Sequence, residues 1–335
     1  MENKANIFDS LQEEILQSNL PEAEKNRRLS ALLKASSRRI NLMLVGATSS
    51  GKSSTINALF DMSVAKVGVG VDPETQKITK YDLGNLTIWD TPGLGDTVKN
   101  DKSHIKQIVK KLSETDANGD LLIDLVLVVL DASSKDLGVS YDAINKTLIP
   151  CLGKDNAHRI LIGLNQSDMA MKGRNWNHEE NIPEEPLQEF LAKKSESVKR
   201  RIYEATGVVV TPICYCAGYT DGAEKQNPYN LSKLLYYILE AVPSEKRLVL
   251  ADKINFDDSN WIYDDGKEDY AMAIKGSFWD GLLDGIVDGA EKGAVIGGCA
   301  LGVPGAIVGG LIGGIFGGLK SLVVKPLSKI QFWSS

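Results

Sequence analysis

The chain has 335 residues and a formal net charge of −6, with 24% charged and 43% hydrophobic residues. This ordinary globular composition excludes collagen-like and disordered chains and fits one large domain with appendages, or two domains. The acidic balance argues against a nucleic-acid clamp along the whole chain. Four cysteines are too few for a disulfide scaffold, so we expect a reducing, cytoplasmic compartment.

Residues 5–38 are predicted to form two amphipathic helices. Apolar residues recur at helical spacing at Leu11 and Ile15, and again at Leu29 and Leu32. Pro21 separates the two stretches, because proline interrupts a helix from within. The pattern favours a helical segment over residues 1–38 that packs on the following domain, and an arm that binds a partner is the alternative.

A phosphate-binding loop is predicted directly after the first strand. Residues 40–45 are an apolar strand, residues 46–53 read G-A-T-S-S-G-K-S, and a helical pattern follows. In this arrangement, backbone N–H groups and a helix N-terminus surround phosphate oxygens. Lys52 would meet the β- and γ-phosphates, and Ser53 would bind Mg²⁺. The predicted nucleotide contacts of this loop are Gly46, Ala47, Ser49, Ser50, Gly51, Lys52, Ser53 and Ser54.

A second strand ends in residues 90–93, which read D-T-P-G. Residues 78–83 and 86–90 are a predicted hairpin around a Gly84-Asn85 turn. Asp90 follows Ser53 by 37 residues and would hold a water on Mg²⁺. Gly93 has no side chain, so its N–H can approach a γ-phosphate.

Two later segments are predicted to select the base. A strand over residues 159–164 precedes N-Q-S-D at 165–168, and a strand over residues 208–215 precedes C-A-G at 216–218. The Asp168 carboxylate can accept hydrogen bonds from guanine N1–H and its exocyclic amine, a donor pair that adenine lacks. We expect Asn165 to tie this loop to the phosphate loop and the Ala217 N–H to reach guanine O6. The predicted base contacts are Asn165, Gln166, Asp168, Cys216 and Ala217.

These four elements, in this order and spacing, resemble the Era-like GTPases, the group of TrmE, Era, EngA and the septins. The segment G-V-G-V-D-P-E-T at 68–75, and residues 165–168 with M-K-G at 171–173, are similar to its YfjP-type branch. The resemblance covers residues 20–242 and implies a Rossmann-like α/β P-loop G domain at 39–242. Its doubly wound, mostly parallel sheet would have six strands. The resemblance further implies binding of GTP and GDP with Mg²⁺, and hydrolysis of GTP. It makes Thr75 the switch threonine, so the implied metal ligands are Ser53, Thr75 and Asp90, and the implied catalytic residues are Lys52, Thr75 and Gly93.

Three positions of the nucleotide contacts depart from the pattern of that family. Gln166 stands where a lysine usually stacks over the guanine ring, so base affinity would be modest. Cys216 stands where serine is usual, a small change that should keep the loop. Ser49 replaces an asparagine that helps to bind potassium in many members, which argues against potassium dependence.

A fourth departure is Leu94, which follows the D-T-P-G run where some GTPases carry a glutamine that orients water. An apolar side chain cannot orient water, so unassisted hydrolysis is expected at about 10⁻⁴–10⁻² s⁻¹. Thr75, Asp96, a protein activator or self-association would then have to supply that role.

After Pro243 the composition changes twice. Residues 243–291 are an acidic and aromatic linker region, with eleven acidic residues and three lysines between positions 252 and 291. This composition is typical of a solvated face with an apolar underside. Residues 292–335 are a predicted glycine-rich helical tail, and eleven of the 27 uncharged residues at 293–319 are glycine. Many recur every fourth residue, the glycine-zipper spacing that lets helices approach closely.

The tail raises the question of what the G domain is coupled to. As one helix, 27 uncharged residues would measure about 40 Å, enough to cross a bilayer core. Lys320, Lys325 and Lys329 suit an anionic lipid surface. We therefore predict association with the inner face of a membrane, peripheral or integral. Self-packing or oligomerisation through residues 293–319, and disorder, are the alternatives.

Taken together, the sequence predicts a GTP-hydrolysing switch enzyme coupled to a partner or a membrane. One alternative is a nucleotide-controlled membrane-remodelling protein, dynamin-like in role, with incidental hydrolysis. Only 117 residues follow Gly218, however, too few for a long four-helix stalk. Another alternative is a ribosome-associated GTPase, which nothing basic outside the G domain supports.

Overall fold

The computed structural model describes residues 7–62, 66–67, 78–95, 98–221, 224–255 and 257–284. The strands are β1 (Ile40–Gly46), β2 (Lys66–Val67), β3 (Thr79–Leu83), β4 (Leu86–Asp90), β5 (Leu125–Asp131), β6 (Ile160–Asn165), β7 (Trp176–Asn177), β8 (Ile182–Pro183), β9 (Ile213–Cys214), β10 (Tyr219–Asp221) and β11 (Glu224–Gln226). The helices are α1 (Ile7–Gln17), α2 (Glu22–Ser37), α3 (Lys52–Leu59), α4 (Val98–Leu112), α5 (Gly138–Ala143), α6 (Ile149–Leu152), α7 (Glu185–Thr206), α8 (Leu231–Ala241), α9 (Arg247–Ala251) and α10 (Tyr270–Asp284).

Seven strands form the central sheet, in the order β2-β3-β4-β1-β5-β6-β9. The pairs β1–β4, β1–β5, β5–β6 and β6–β9 are parallel, while β2–β3 and β3–β4 are antiparallel. The predicted mostly parallel α/β fold is confirmed, and the two-residue edge strand β2 accounts for the seventh strand. The predicted hairpin is β3–β4, with its turn at Gly84-Asn85.

Helices cover both faces of the sheet, because successive side chains of a strand point to opposite faces. In β1, Leu42 and Leu44 belong to one apolar cluster, whereas Met43 and Val45 belong to another. The first cluster includes residues of α1–α3 and α8–α10, and the second includes residues of α4–α7. The sheet is therefore doubly wound, as predicted.

The N-terminal helices pack on the sheet. Leu11 of α1 and Leu32 of α2 are buried in the same cluster as Ile40 and Leu42 of β1. α2 begins directly after Pro21, whose fixed φ suits a helix start. The two predicted helices are present, and they contribute to the core of the domain.

The segment after α8 also packs on the domain, as far as it is described. Trp261, Tyr270 and Phe278 are buried, and α10 lies against α8 and α9. Lys246 forms an ion pair of 2.6 Å with Asp124, which precedes β5. The described part of the predicted linker region therefore buries these three aromatic side chains, whereas Asp257, Asp258 and Asp269 are exposed.

The predicted glycine-rich tail at 292–335 lies outside the described residues. Among the helices that the structure does describe, none is both long and apolar enough to cross a membrane.

The last strand of the sheet is shorter than the sequence pattern predicts. Residues 208–215 were expected to be extended, but only Ile213–Cys214 pair with β6. Pro212 precedes this pair and has no N–H to donate to a ladder. Val208 and Val210 are nevertheless buried in the second apolar cluster, so the apolar pattern reflects burial in the core rather than strand pairing.

The polar segment at 169–186 contains the short antiparallel pair β7–β8. Trp176 of this segment is buried against Tyr229, with ring centroids 5.3 Å apart, and His178 is exposed.

Candidate functional site

The loop between β1 and α3 has the backbone shape of an anion-binding turn. Ser49 has a φ of 62° and Gly51 a φ of 86°, both in the left-handed region. Alternating backbone conformations of this kind turn successive N–H groups toward one point. A Cβ at Gly51 would overlap the side-chain amide of Asn165, so glycine is required there for space as well as conformation.

Lys52 opens α3 and reaches back over the loop. Its Nζ donates to the carbonyl oxygens of Gly46 at 3.2 Å and Ala47 at 3.0 Å. The side chain is largely buried, so its charge acts at short range with little solvent screening. Lys52 therefore places a positive charge at the phosphate loop.

Ser53 and Asp90, the two predicted metal ligands that are described, lie together. The Ser53 hydroxyl donates to Asp90 Oδ2 at 3.1 Å. Asp90 Oδ1 is buried and has no hydrogen-bond partner among the described residues. Burial raises the pKa of Asp90, against the opposing effects of the Lys52 charge and the Ser53 hydrogen bond.

This pair fits a bound Mg²⁺. A buried carboxylate oxygen without a partner is costly unless a cation or a donor meets it. Hydroxyl and carboxylate oxygens are the ligands that Mg²⁺ takes from proteins, alongside phosphates and water. The third predicted ligand, Thr75, lies outside the described residues, as does the rest of the segment at 68–75.

Gly93 packs directly on the phosphate loop. A Cβ built on Gly93 would lie within 2.8 Å of the Thr48 backbone nitrogen, so no other residue fits without moving the loop. Thr48 donates to the Leu94 carbonyl at 3.0 Å, and Leu94 donates to the Gly46 carbonyl at 3.1 Å. The Leu94 side chain is buried in the apolar cluster and presents no polar atom to a nucleotide.

The side chain of His104, on α4, contacts the carbonyl group of Gly93. Its Nδ1 lies 3.1 Å from the Gly93 carbonyl oxygen, which can only accept, so Nδ1 carries the proton. The ring is 3% exposed. Two neighbours, Thr48 and His104, therefore fix the position of the one glycine predicted to sense a γ-phosphate.

Asn165 contacts both the phosphate loop and the second base-contact segment at 216–218. Its Nδ2 donates to the Ser50 carbonyl at 3.0 Å, which is the predicted tie between the base loop and the phosphate loop. Its Oδ1 accepts from the Ala217 N–H at 3.0 Å. The Ala217 N–H was expected to reach guanine O6, but in the structure Asn165 already receives it. Gln166 adds a second tie, because its Nε2 donates to the Ser49 carbonyl at 2.8 Å.

Asp168 lies in a cavity of about 230 Å³ at the base end. Its N–H donates to Cys216 Sγ at 3.3 Å, so the cysteine accepts the hydrogen bond that a serine would accept. Burial, followed by the nearby Asp168 carboxylate, raises the pKa of the Cys216 thiol well above its usual value, so the sulfur stays neutral. Asp168 Oδ2 accepts from Gln226 Nε2 at 3.3 Å.

Those predicted residues that the structure describes lie at the carboxyl ends of parallel strands, whereas Thr75 lies outside the described residues. Phosphate and metal residues meet at the ends of β1 and β4, and base residues follow β6 and β9. Motif reasoning missed His104, Gln226 and Tyr219, because each comes from an element that carries no motif. The spacing of His104 and Ile108 on one helical face was an available signal that this histidine points inward.

Residues 41–166 match the model of a family described as 50S ribosome-binding GTPase. The match covers less than half of the chain, and it spans the phosphate loop, Asp90, Gly93 and Asn165. No curated protein matches the chain.

Several solved structures are similar in fold. Toc33 from Arabidopsis thaliana, in complex with GDP and Mg²⁺, is 17% identical, with 64% of this chain and 85% of that one covered and a TM-score of 0.37. The G domain of the T. maritima FeoB iron transporter is 18% identical over 61% of this chain and 99% of that one, with a TM-score of 0.33. The ETEC bacterial dynamin GTPase LeoA is 16% identical over 83% of this chain and 45% of that one, with a TM-score of 0.35. At these identities and scores, the likeness says nothing about what this chain binds or does.

The fold, the site geometry and the family match over residues 41–166 together support a GTP-binding G domain of the P-loop type within this chain. The phosphate loop, Asp90, Gly93 and the base loop at 165–168 are its candidate nucleotide-binding elements.

Proposed function

We propose that this protein is a Mg²⁺-dependent GTPase that alternates between GTP-bound and GDP-bound states. The observation that carries the proposal is the approach of Ser53 Oγ to Asp90 Oδ2 at 3.1 Å, beside a buried Asp90 oxygen that lacks a partner. This hydroxyl–carboxylate pair lies next to Lys52 and is formed by the first turn of α3 and the end of β4. Mg²⁺, when bound there, would neutralise phosphate charge during in-line attack by water.

The chain's own residues supply binding and positioning. Lys52 and the loop N–H groups bind the β- and γ-phosphates, and the Gly93 N–H reports whether a γ-phosphate is present. Thr75 is proposed as the switch threonine that meets Mg²⁺ in the GTP state only. The segments around 64–78 and 93–100 would relax after phosphate release.

Hydrolysis without a partner is proposed to be slow. Leu94 is buried and cannot orient the attacking water, so turnover near 10⁻⁴–10⁻² s⁻¹ is expected, on the order seen for incomplete sites. A protein activator or self-association would then complete the site. We also propose that the chain belongs near the YfjP-type branch of the Era-like GTPases, on the motifs at 68–75 and 165–173.

Titration with nucleotides tests the base assignment. With Mg²⁺ present, the protein should bind GTP and GDP far more tightly than ATP, because Asp168 pairs with two guanine donors. Asp168→Asn should reverse the preference toward xanthosine nucleotides, whose ring presents an acceptor in place of the exocyclic amine. Equal affinity for ATP and GTP would reject the assignment.

The tail is proposed to couple this cycle to the inner, cytoplasmic face of a membrane. Support comes from the uncharged residues at 293–319 and from the lysines that follow them. Flotation with anionic liposomes should carry the full chain upward, and Lys320→Glu, Lys325→Glu and Lys329→Glu together should weaken that binding. Self-association through the tail instead would leave the protein at the bottom of the gradient as an oligomer. Co-sedimentation with ribosomes tests the ribosome-associated alternative.

A further inference from the structure

Few of the side chains that line the base cavity could cover the flat face of a guanine ring. It is lined by Asn165, Asp168, Met169, Ala217, Gly218 and Tyr219, among others. Gln166, in the place of the usual stacking lysine, is turned to the Ser49 carbonyl instead. Gly218 offers no side chain. Of the lining residues, Met169 and Tyr219 are the large apolar ones that remain half exposed, at 52% and 50%.

The hairpin β10–β11 carries Tyr219 and is rooted in the base loop. Cys216 and Tyr229 exchange two backbone hydrogen bonds of 3.0 Å at its base. Gly218, at a φ of +72°, packs so closely that an added Cβ would lie 2.6 Å from the Gln226 carbonyl oxygen. These contacts hold the start of the hairpin against the strand that returns from it.

The returning strand places Gln226 on the base-selecting carboxylate. Gln226 pairs with Tyr219 across the two strands, and its Nε2 donates to Asp168 Oδ2 at 3.3 Å. A carboxylate oxygen has lone pairs for more than one donor, so Asp168 can keep this hydrogen bond while it accepts from guanine. The pairing thus brings an aromatic ring and a carboxylate-orienting amide to the same cavity from one hairpin.

We propose that the strands β10 (Tyr219–Asp221) and β11 (Glu224–Gln226) form a lid for the guanine base. Tyr219 stacks on a face of the ring, in place of the missing lysine stem. Gln226 is a positioning residue that orients the Asp168 carboxylate toward the N1–H and the exocyclic amine. The inference rests on the proposed function, because it specifies how that same site holds a guanine nucleotide.

Removal of the tyrosine ring tests the stacking. Dissociation constants for GDP and inosine diphosphate, with Mg²⁺, are measured for the full chain and for Tyr219→Ala and Tyr219→Phe. Base–aromatic stacking is tolerant of base identity, so Tyr219→Ala should weaken both nucleotides about tenfold, while Tyr219→Phe stays within about twofold. Tyr203→Ala is the matched control, since Tyr203 is 54% exposed on α7 and does not line the cavity.

Removal of the Gln226 amide tests the positioning role. Inosine lacks the exocyclic amine, so the ratio of GDP to inosine diphosphate affinity measures that one contact with Asp168. Gln226→Ala should lower this ratio severalfold, because GDP loses the alignment of two donors on Asp168 and inosine diphosphate loses that of one. A structural defect alone would weaken both nucleotides equally and would overturn this role.

The possible results distinguish failure of the lid proposal from failure of the proposed GTPase function. If the wild type binds GDP and Tyr219→Ala binds it equally well, the lid is wrong and the GTPase proposal stands. If Tyr219→Phe loses as much affinity as Tyr219→Ala, the hydroxyl rather than the ring makes the contact, and stacking is wrong. If the wild type binds no guanine nucleotide at all, the proposed function fails and the lid fails with it.

Discussion

Asp90 shows how a single buried carboxyl can link metal binding to stability. Its folded-state pKa is raised above 3.8 by burial, so the folded protein binds this proton more tightly than the unfolded chain does. Stability from this group is therefore full below pH 3.8 and is lost as pH rises through the folded pKa. At neutral pH the ionised carboxylate is a cost that a bound cation would offset.

The substitution Asp90→Asn should consequently raise the melting temperature of the nucleotide-free protein at pH 7. It should also remove the additional stabilisation that Mg²⁺ with GDP gives the wild type. Thermal unfolding with and without Mg·GDP measures both effects. A lower melting temperature combined with an intact Mg·GDP effect would contradict the assignment of Asp90.

His104 gives a second prediction at the scale of one residue. It donates to the Gly93 carbonyl, so its loss releases one of the contacts that hold Gly93, whose N–H on the preceding peptide is proposed to meet the γ-phosphate. His104→Phe should lower GTP turnover about tenfold, which corresponds to one lost hydrogen bond, and should leave GDP affinity nearly unchanged. His104→Gln, which retains a donor, should recover part of the rate. Equal losses of GDP and GTP affinity in both variants would indicate a purely structural role.

Between elements, the ion pair of Lys246 and Asp124 ties the segment after α8 to the sheet. Asp124 is 4% exposed and also accepts from the Asn41 N–H at 2.9 Å. Lys246→Met would leave this carboxylate buried without its cation, so we expect a loss of about 3 kcal/mol in unfolding free energy. The exposed pair of Lys146 and Asp142 is the matched control. Lys146→Met should cost less than about 0.5 kcal/mol. Denaturant unfolding of both variants makes the comparison, and equal losses would contradict it.

The elements also show where sequence reasoning succeeds. A strand followed by a glycine-rich turn and a helix is fixed by local sterics, so the loop at 46–53 and the hairpin β3–β4 could be predicted from residue type and spacing. The carboxyl ends of parallel strands share one edge, so the meeting of Ser53 and Asp90 followed from the strand order.

Other features could not be predicted, because they depend on contacts between distant segments. The apolar run before β9 is buried in the core without pairing to a neighbouring strand. Strand pairing depends on which backbone segment lies beside the run in the folded protein. The Ala217 N–H donates to Asn165. Only the folded loop determines which acceptor lies within reach of this N–H. Gln226 reaches Asp168 from 58 positions away without any motif to mark it.

At the scale of the whole molecule, the candidate nucleotide site and the terminal helices occupy different parts of the domain. The nucleotide residues lie at one edge of the sheet, while α1, α2 and α8–α10 complete the apolar cluster on one of its faces. The chain leaves the described region after α10 and continues into the glycine-rich residues at 293–319. The last described helix, α10, packs on both α8 and α9, so the residues that precede the tail are part of the domain.

Phosphate release from GTP and from ATP, side by side, tests the central claim most directly. The full-length protein and Ser53→Ala are compared with Mg²⁺ and with EDTA, at nucleotide concentrations that saturate the wild type. We predict slow release from GTP alone, at about 10⁻⁴–10⁻² s⁻¹, that disappears with EDTA and in Ser53→Ala. Release that is equal from ATP, or that persists without Mg²⁺ or without the Ser53 hydroxyl, would contradict a Mg²⁺-dependent GTPase.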